Sequence, residues 1–144
     1  MNCFKTLAIA TVLGATLCGC AQNSGVSANV DPALPAPAKP YANVDPNQFE
    51  ALSKRPNTVI LDVRSAAEYA DGHLPNAVNL DVNSPGFAES AAKLDKSRAY
   101  IVHCRSGGRS ARACAELSGQ GFTTLYNLDG GLTAWIAAGK PVEK

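Results

Sequence analysis

From residue 41 to the end of the chain, short continuous apolar runs alternate with segments whose apolar residues recur at helical spacing. The run TVILDV at 58–63 is β-branched and apolar almost throughout, the pattern of a strand buried on both faces. AVNLDV at 77–82, AYIVHC at 99–104 and TTLYNL at 123–128 read the same way. Helix starts punctuate the intervals. Asp45 precedes Pro46 and, three residues on, Gln48; Ser65 stands in the same relation to Glu68, so each pair forms a capping box. The second helix ends near Gly72. Ser84 and Pro85 predict an N-cap and first turn for a helix running to about Leu94, and further helices are expected from Ser110 to Ser118 and from about Leu132 to Ala138. Strands joined through short helical crossovers pair in parallel with right-handed connections. The expected class is therefore α/β in three layers, a central and mostly parallel sheet with helices on both faces. No internal repeat is visible.

The first forty residues follow different rules. One cation, Lys5, precedes twelve apolar and small residues without charge at 6–17, and Leu17-Cys18-Gly19-Cys20 follows. This is the anatomy of an export signal, and the run is well short of the ~20 residues a membrane-spanning helix needs. It resembles a bacterial lipoprotein leader, in which a Leu-x-Gly-Cys box directs acylation of its cysteine; here the box maps onto Leu17, Gly19 and Cys20, with Cys18 an unusual second member. The resemblance implies a signal peptide at 1–19 and a lipid on Cys20, followed by a tether at 20–40 and a globular domain at 41–144. Ordinary signal cleavage, with Cys20 an incidental thiol, is the competing reading. Residues 21–40 hold Pro32, Pro35, Pro37 and Pro40 and no hydrophobic period, which favours an extended chain over a strand. Ala21, where an Asp would stand in an inner-membrane lipoprotein, implies the periplasmic face of a Gram-negative outer membrane.

Length and composition narrow the rest. At 144 residues the prior is one domain. Lys+Arg 13 against Asp+Glu 12 leaves a net charge of +1, which supplies no field to gather nucleic acid. Cys3, Cys18 and Cys20 fall in the leader region and only Cys104 and Cys114 remain beyond it, so no disulfide framework is expected.

The chemistry concentrates in Cys104-Arg105-Ser106-Gly107-Gly108-Arg109-Ser110. A cysteine at the carboxyl end of a strand in an open α/β sheet sits where such sheets bind ligands. Two glycines let the following backbone curl and turn its N–H groups inward at a helix start, which makes an anion cradle. Those donors, together with Arg105 and Arg109, should favour thiolate over thiol at Cys104 and make it a nucleophile. Either arginine has a plainer use as partner to Glu68 or Asp62. Cys114, with Ala111 and Leu117 one turn away, reads as core, its rival role being a resolving thiol. His103 precedes Cys104 on a strand and so points to the opposite face, which disqualifies it as the cysteine's base. His73 lies in the turn after the Glu68 helix. Neither histidine has partners at metal spacing, and no metal is expected. Asp62 and Arg64, at the end of a buried strand, read as supports of the loop together with Glu68.

Val102-His103-Cys104-Arg105-Ser106-Gly107-Gly108-Arg109-Ser110 is similar to the active-site loop of single-domain rhodanese-like sulfurtransferases. Leu61-Asp62-Val63-Arg64, Glu68-Tyr69, Gly72-His73-Leu74-Pro75-Asn76-Ala77-Val78-Asn79 and Asn127-Leu128-Asp129-Gly130-Gly131, with Trp135 and Gly139-Lys140-Pro141-Val142, agree with the family in order. Asn76 departs from it, standing where glycine is frequent. The resemblance implies that Cys104 takes the outer sulfur of a donor such as thiosulfate and passes it from a persulfide to a thiol or cyanide, with no cofactor. Residues 105–110 would bind the small sulfur-containing anion. Related folds carry phosphatases, whose loop is one residue longer between cysteine and arginine than the four found here; the smaller ring suits a single sulfur atom. A carrier module holding persulfide for a partner protein, and a redox switch of Cys104 with Cys114, are the competing functions. A monomer without nucleic-acid partners is expected.

Overall fold

The structure is a computed structural model that describes residues 40–144. The expected signal peptide, Cys20 and all of the tether before Pro40 lie outside the described residues. Ten elements follow in order: β1 (Ala42–Val44), α1 (Pro46–Ser53), β2 (Thr58–Asp62), α2 (Ala66–Asp71), β3 (Val78–Asn79), α3 (Phe87–Ala92), β4 (Ala99–His103), α4 (Gly108–Gly119), β5 (Leu125–Leu128) and α5 (Gly131–Ala137). The strands form one parallel sheet in the order β1-β5-β4-β2-β3. The α/β class read from the alternation is the observed one.

Both capping boxes form. Asp45 accepts from the amides of Asn47 and Gln48 at 2.8 and 2.9 Å while the Gln48 side chain receives the Asp45 amide. Ser65 and Glu68 exchange the same pair of bonds at the start of α2. Gly72 closes α2.

Other boundaries move. α3 starts at Phe87 with Gly86 as its cap and stops at Ala92, because Ser84 and Pro85 belong to the preceding turn: the Ser84 hydroxyl accepts the Gly86 amide and its carbonyl accepts the Phe87 amide. The strand expected at 77–82 shrinks to Val78–Asn79, although the Leu80 and Val82 amides still reach the carbonyls of Asp62 and Val63. Only Leu125–Leu128 of 123–128 is strand, and the last helix spans Gly131–Ala137. α4 begins at Gly108, two residues before Ser110. β1 was not anticipated; three residues pairing only with β5 leave too little pattern to read.

Alternate residues of the sheet face two cores. Leu61, Tyr100, Val102 and Leu125 pack with Phe87 and Ala91 of α3 and with Ala113, Cys114 and Leu117 of α4. On the other face Phe49 of α1, fully buried, meets the His103 ring edge-on at 6.3 Å and Trp135 of α5 at 5.7 Å. Burying a side chain of this size stabilises by about 1.5–3 kcal/mol. Helices thus cover both faces, and the carboxyl end of β4 opens between α4 and α5.

Asn76 has φ +61°, in the left-handed region that glycine adopts freely and asparagine tolerates better than most residues. Its amide is received by the Glu143 carboxylate at 3.1 Å. The departure from glycine is thereby accommodated locally.

Candidate active site

β4 ends at His103, and the chain then leaves the sheet to loop toward α4. Cys104 is 1% exposed. Its Sγ receives the Gly107 amide at 3.1 Å and lies 3.5 Å from the Ser110 hydroxyl, which is also 3.0 Å from the Gly107 carbonyl. Burial pushes the Cys104 thiol up, but the Ser110 hydroxyl and the amides of Ser110, Ser106 and Gly107 outweigh it, so the thiol lies below its ordinary value. A thiolate accepting several fixed donors needs no solvent to be stable, which is the requirement for a buried nucleophile.

What turns those amides inward is the opposite treatment of the carbonyls. The Cys104 carbonyl accepts the Leu132 amide at 2.8 Å. The Arg105 carbonyl accepts the Thr133 amide at 3.1 Å and the Thr133 hydroxyl at 3.0 Å. The first turn of α5 therefore supplies donors to the outer side of the loop and in doing so satisfies its own unpaired N–H groups. Gly131 makes this approach possible: a Cβ there would sit 2.5 Å from the Cys104 carbonyl oxygen and 2.7 Å from Arg105 backbone atoms. Gly107, at φ +95°, is less tightly confined, a Cβ there lying 3.2 Å from the Gly130 amide nitrogen and 3.3 Å from the Leu128 carbonyl oxygen. The structural role of Gly130-Gly131 was missed in the sequence, where paired glycines after a strand were the available signal.

Arg109 and Arg105 divide. Both terminal nitrogens of Arg109 bind the Glu68 carboxylate, at 2.7 and 2.8 Å, and that guanidinium holds Glu68 down to about 2. The pair raises Arg109 as well. Arg109 still couples electrostatically to Cys104, yet its charge is largely spent on Glu68, and the hydrogen bonds of the loop do most of the lowering. Glu68 thus joins the α2 cap to the loop. Arg105 is exposed, as are Ser106 and Gly108.

Asp62 and Arg64 are buried and paired with each other, Nε to Oδ1 at 2.9 Å and Nη2 to Oδ2 at 2.5 Å, while Nη2 also donates to the Gly72 carbonyl at 2.8 Å. Among the described residues no hydrogen bond runs from either side chain to 105–110. Asp62 instead lies 3.6 Å from His103 on the face away from Cys104. Burial drives His103 down to about 4 despite the Asp62 carboxylate, and neither ring nitrogen has a hydrogen-bond partner of good geometry among the described residues. His73 stacks on Tyr69 at 3.8 Å, its Nδ1 3.0 Å from the Tyr69 carbonyl. Cys114 is fully buried, 3.8 Å from the Tyr126 carbonyl, and burial pushes its thiol up to about 12. Both described cysteines are free thiols. Among the described residues no three His, Cys, Asp or Glu side chains converge as metal ligands.

Residues 45–138 match the Rhodanese-like domain model, well over half of the chain, and the protein belongs to that family. It is 37% identical over 97 residues to the thiosulfate sulfurtransferase GlpE of Pseudomonas savastanoi, an overlap of 67% of this chain and 89% of that protein. A sulfurtransferase of Allochromatium vinosum is also 37% identical, over 65% of this chain and 89% of its own length. Among solved structures, a rhodanese-related protein from Thermoplasma volcanium superposes with a TM-score of 0.64 at 29% identity, covering 72% of this chain and 98% of that one.

Proposed function

We propose that the protein is a thiosulfate sulfurtransferase working through a Cys104 persulfide. The Cys104 thiolate attacks the outer sulfur of thiosulfate; the S–S bond of the donor breaks, its electron pair leaves with sulfite, and one sulfur remains on Sγ. The loop amides that support the thiolate then support the persulfide anion, a preorganised donor set acting on developing negative charge. An acceptor thiol or cyanide removes the outer sulfur and restores the thiolate. The observation that carries the reading is the 3.1 Å bond from the Gly107 amide to Sγ inside a ring of inward donors. Sulfurtransferase relatives support the reaction class.

Thiocyanate formation from thiosulfate and cyanide tests it, set beside aryl phosphate hydrolysis by the same preparation. Faster phosphate hydrolysis than thiocyanate formation overturns the reading, and one glycine added between Cys104 and Arg109 should lower sulfur transfer. Loading without turnover would make the domain a persulfide carrier instead.

The same proposal places the enzyme outside the cytoplasm, held by lipid on Cys20 to the periplasmic face of an outer membrane. The support is Leu17-Cys18-Gly19-Cys20 and Ala21 alone. Cys20→Ser should move the protein from the membrane to the soluble fraction. Unmodified wild type found soluble with a free Cys20 thiol contradicts the anchor.

A further inference from the structure

Beside the loop lies a cleft of about 350 Å³, within the lower range of small-molecule sites. Arg64, Glu68, Asp71 and Arg105 supply its charges, Leu132 and Ile136 an apolar wall, and Thr133 completes the lining. Arg105 is bonded directly to the cysteine residue, and Leu132 and Thr133 hold the loop's carbonyls, so the cleft adjoins the site of the sulfur.

Two of its four charges are already answered. Both Glu68 oxygens are occupied by Arg109, and Arg64 is held by the Asp62 carboxylate and the Gly72 carbonyl. The side chains of Arg105 and Asp71 make no hydrogen bond or ion pair among the described residues, and both are exposed. The cleft therefore offers one unanswered cation on the loop, one unanswered anion at the end of α2, and the exposed Ile136 with Leu132 between polar groups. A dianion such as thiosulfate would gain Arg105 but meet Asp71. A small molecule carrying both an ammonium and a carboxylate answers both.

Resting on the sulfurtransferase reading, we propose that this cleft receives the sulfur acceptor and that the acceptor is a small zwitterionic thiol of the cysteine type. Arg105 takes its carboxylate, Asp71 its ammonium, and Leu132 and Ile136 flank its methylene. The acceptor thiolate, its proton lost to solvent, attacks the outer sulfur of the Cys104 persulfide and forms a new S–S bond. The bond from that sulfur to Sγ breaks and its electron pair returns to Cys104 as thiolate. The acceptor leaves as a persulfide, and no external oxidant or reductant is consumed.

The test is single-turnover discharge of full-length protein first loaded with thiosulfate, using L-cysteine, 3-mercaptopropionate and cysteamine, with each rate constant divided by that thiol's thiolate fraction. Wild type should prefer cysteine to either single-charge thiol by up to about fivefold, the scale of an exposed ion pair. Asp71→Asn should erase the preference over 3-mercaptopropionate, Asp71→Lys should invert it, and Arg105→Gln should erase the preference over cysteamine. These ratios are internal to each preparation and do not depend on how much of it is folded. Equal discharge by all three thiols in wild type, or ratios unmoved by the substitutions, overturns the acceptor assignment while leaving the persulfide reading intact. A persulfide discharged by a protein dithiol and by none of the small thiols overturns it too. Failure of thiosulfate to load any sulfur defeats the underlying reading instead.

Discussion

Cys104 and Cys114 stand ten positions apart and are equally hidden, 1% and 0% exposed, yet they are opposite kinds of thiol. Cys114 sits inside α4 among Ala113, Leu117 and the sheet, where backbone donors are consumed by the helix itself and burial pushes its thiol up to about 12. Cys104 sits just before the same helix, where the first amides have no intrahelical acceptor and point at its sulfur. Burial penalises the anion in both places. What separates a nucleophile from a packing residue is which end of the backbone is left unpaired nearby.

The sharpest way to break this comparison is Cys104→Ser, which should reduce thiocyanate formation to the uncatalysed background in a folded protein. A hydroxyl does not ionise even in this cradle. Next in size is Ser110→Ala, because the Ser110 hydroxyl is foremost among the groups that lower the Cys104 thiol. Losing this hydrogen bond to the thiolate should raise the thiol, so the thiosulfate step falls about tenfold at pH below the thiol and recovers as pH rises. A merely structural lesion would not recover at alkaline pH.

Arg109→Gln and Glu68→Gln should shift the same titration in opposite directions and by less, the first raising the thiol and the second lowering it by leaving Arg109 uncompensated; thiolate absorbance against pH reads both. The half-exposed pair and the α2 cap together contribute about 1 kcal/mol. With Glu68 held down to about 2, that stability is present above the ordinary carboxylate range and lost as pH falls through about 2.

Cys114→Ser should leave the rate near wild type and cost about 1–3 kcal/mol for a buried hydroxyl, measurable by denaturant unfolding. The folded state keeps the Cys114 proton, so its contribution declines as pH climbs above the ordinary thiol value toward about 12. His103 bears on stability rather than on sulfur transfer. Kept neutral in the core, it favours the folded state above its ordinary value near 6.5 and gives up that stability as pH falls through about 4; His103→Leu should flatten this acid limb in unfolding curves while leaving sulfur transfer in place.

The sequence disclosed the cysteine, its loop and both capping boxes because each is a local pattern: a residue type at a fixed offset from a strand end or an apolar run. It disclosed less where the decisive contact is remote. The pairing of Arg109 with Glu68 joins residues 41 positions apart, so the sequence left either acidic partner open. Likewise the α5 donors that reverse the loop's carbonyls come from residues 28 positions beyond Cys104 and Arg105, and only Gly130-Gly131 hinted at a close approach. β1 escaped for another reason: three residues cannot display a period, and pairing with β5 alone defines it.

Intact mass after incubation with thiosulfate tests the central claim most directly, taken for wild type, Cys104→Ser and Cys114→Ser with peptide mapping of the product. The account predicts a gain of one sulfur atom on Cys104 in wild type and in Cys114→Ser, and none in Cys104→Ser. Sulfur retained by folded Cys104→Ser, or a disulfide between Cys104 and Cys114 in place of the persulfide, would contradict it.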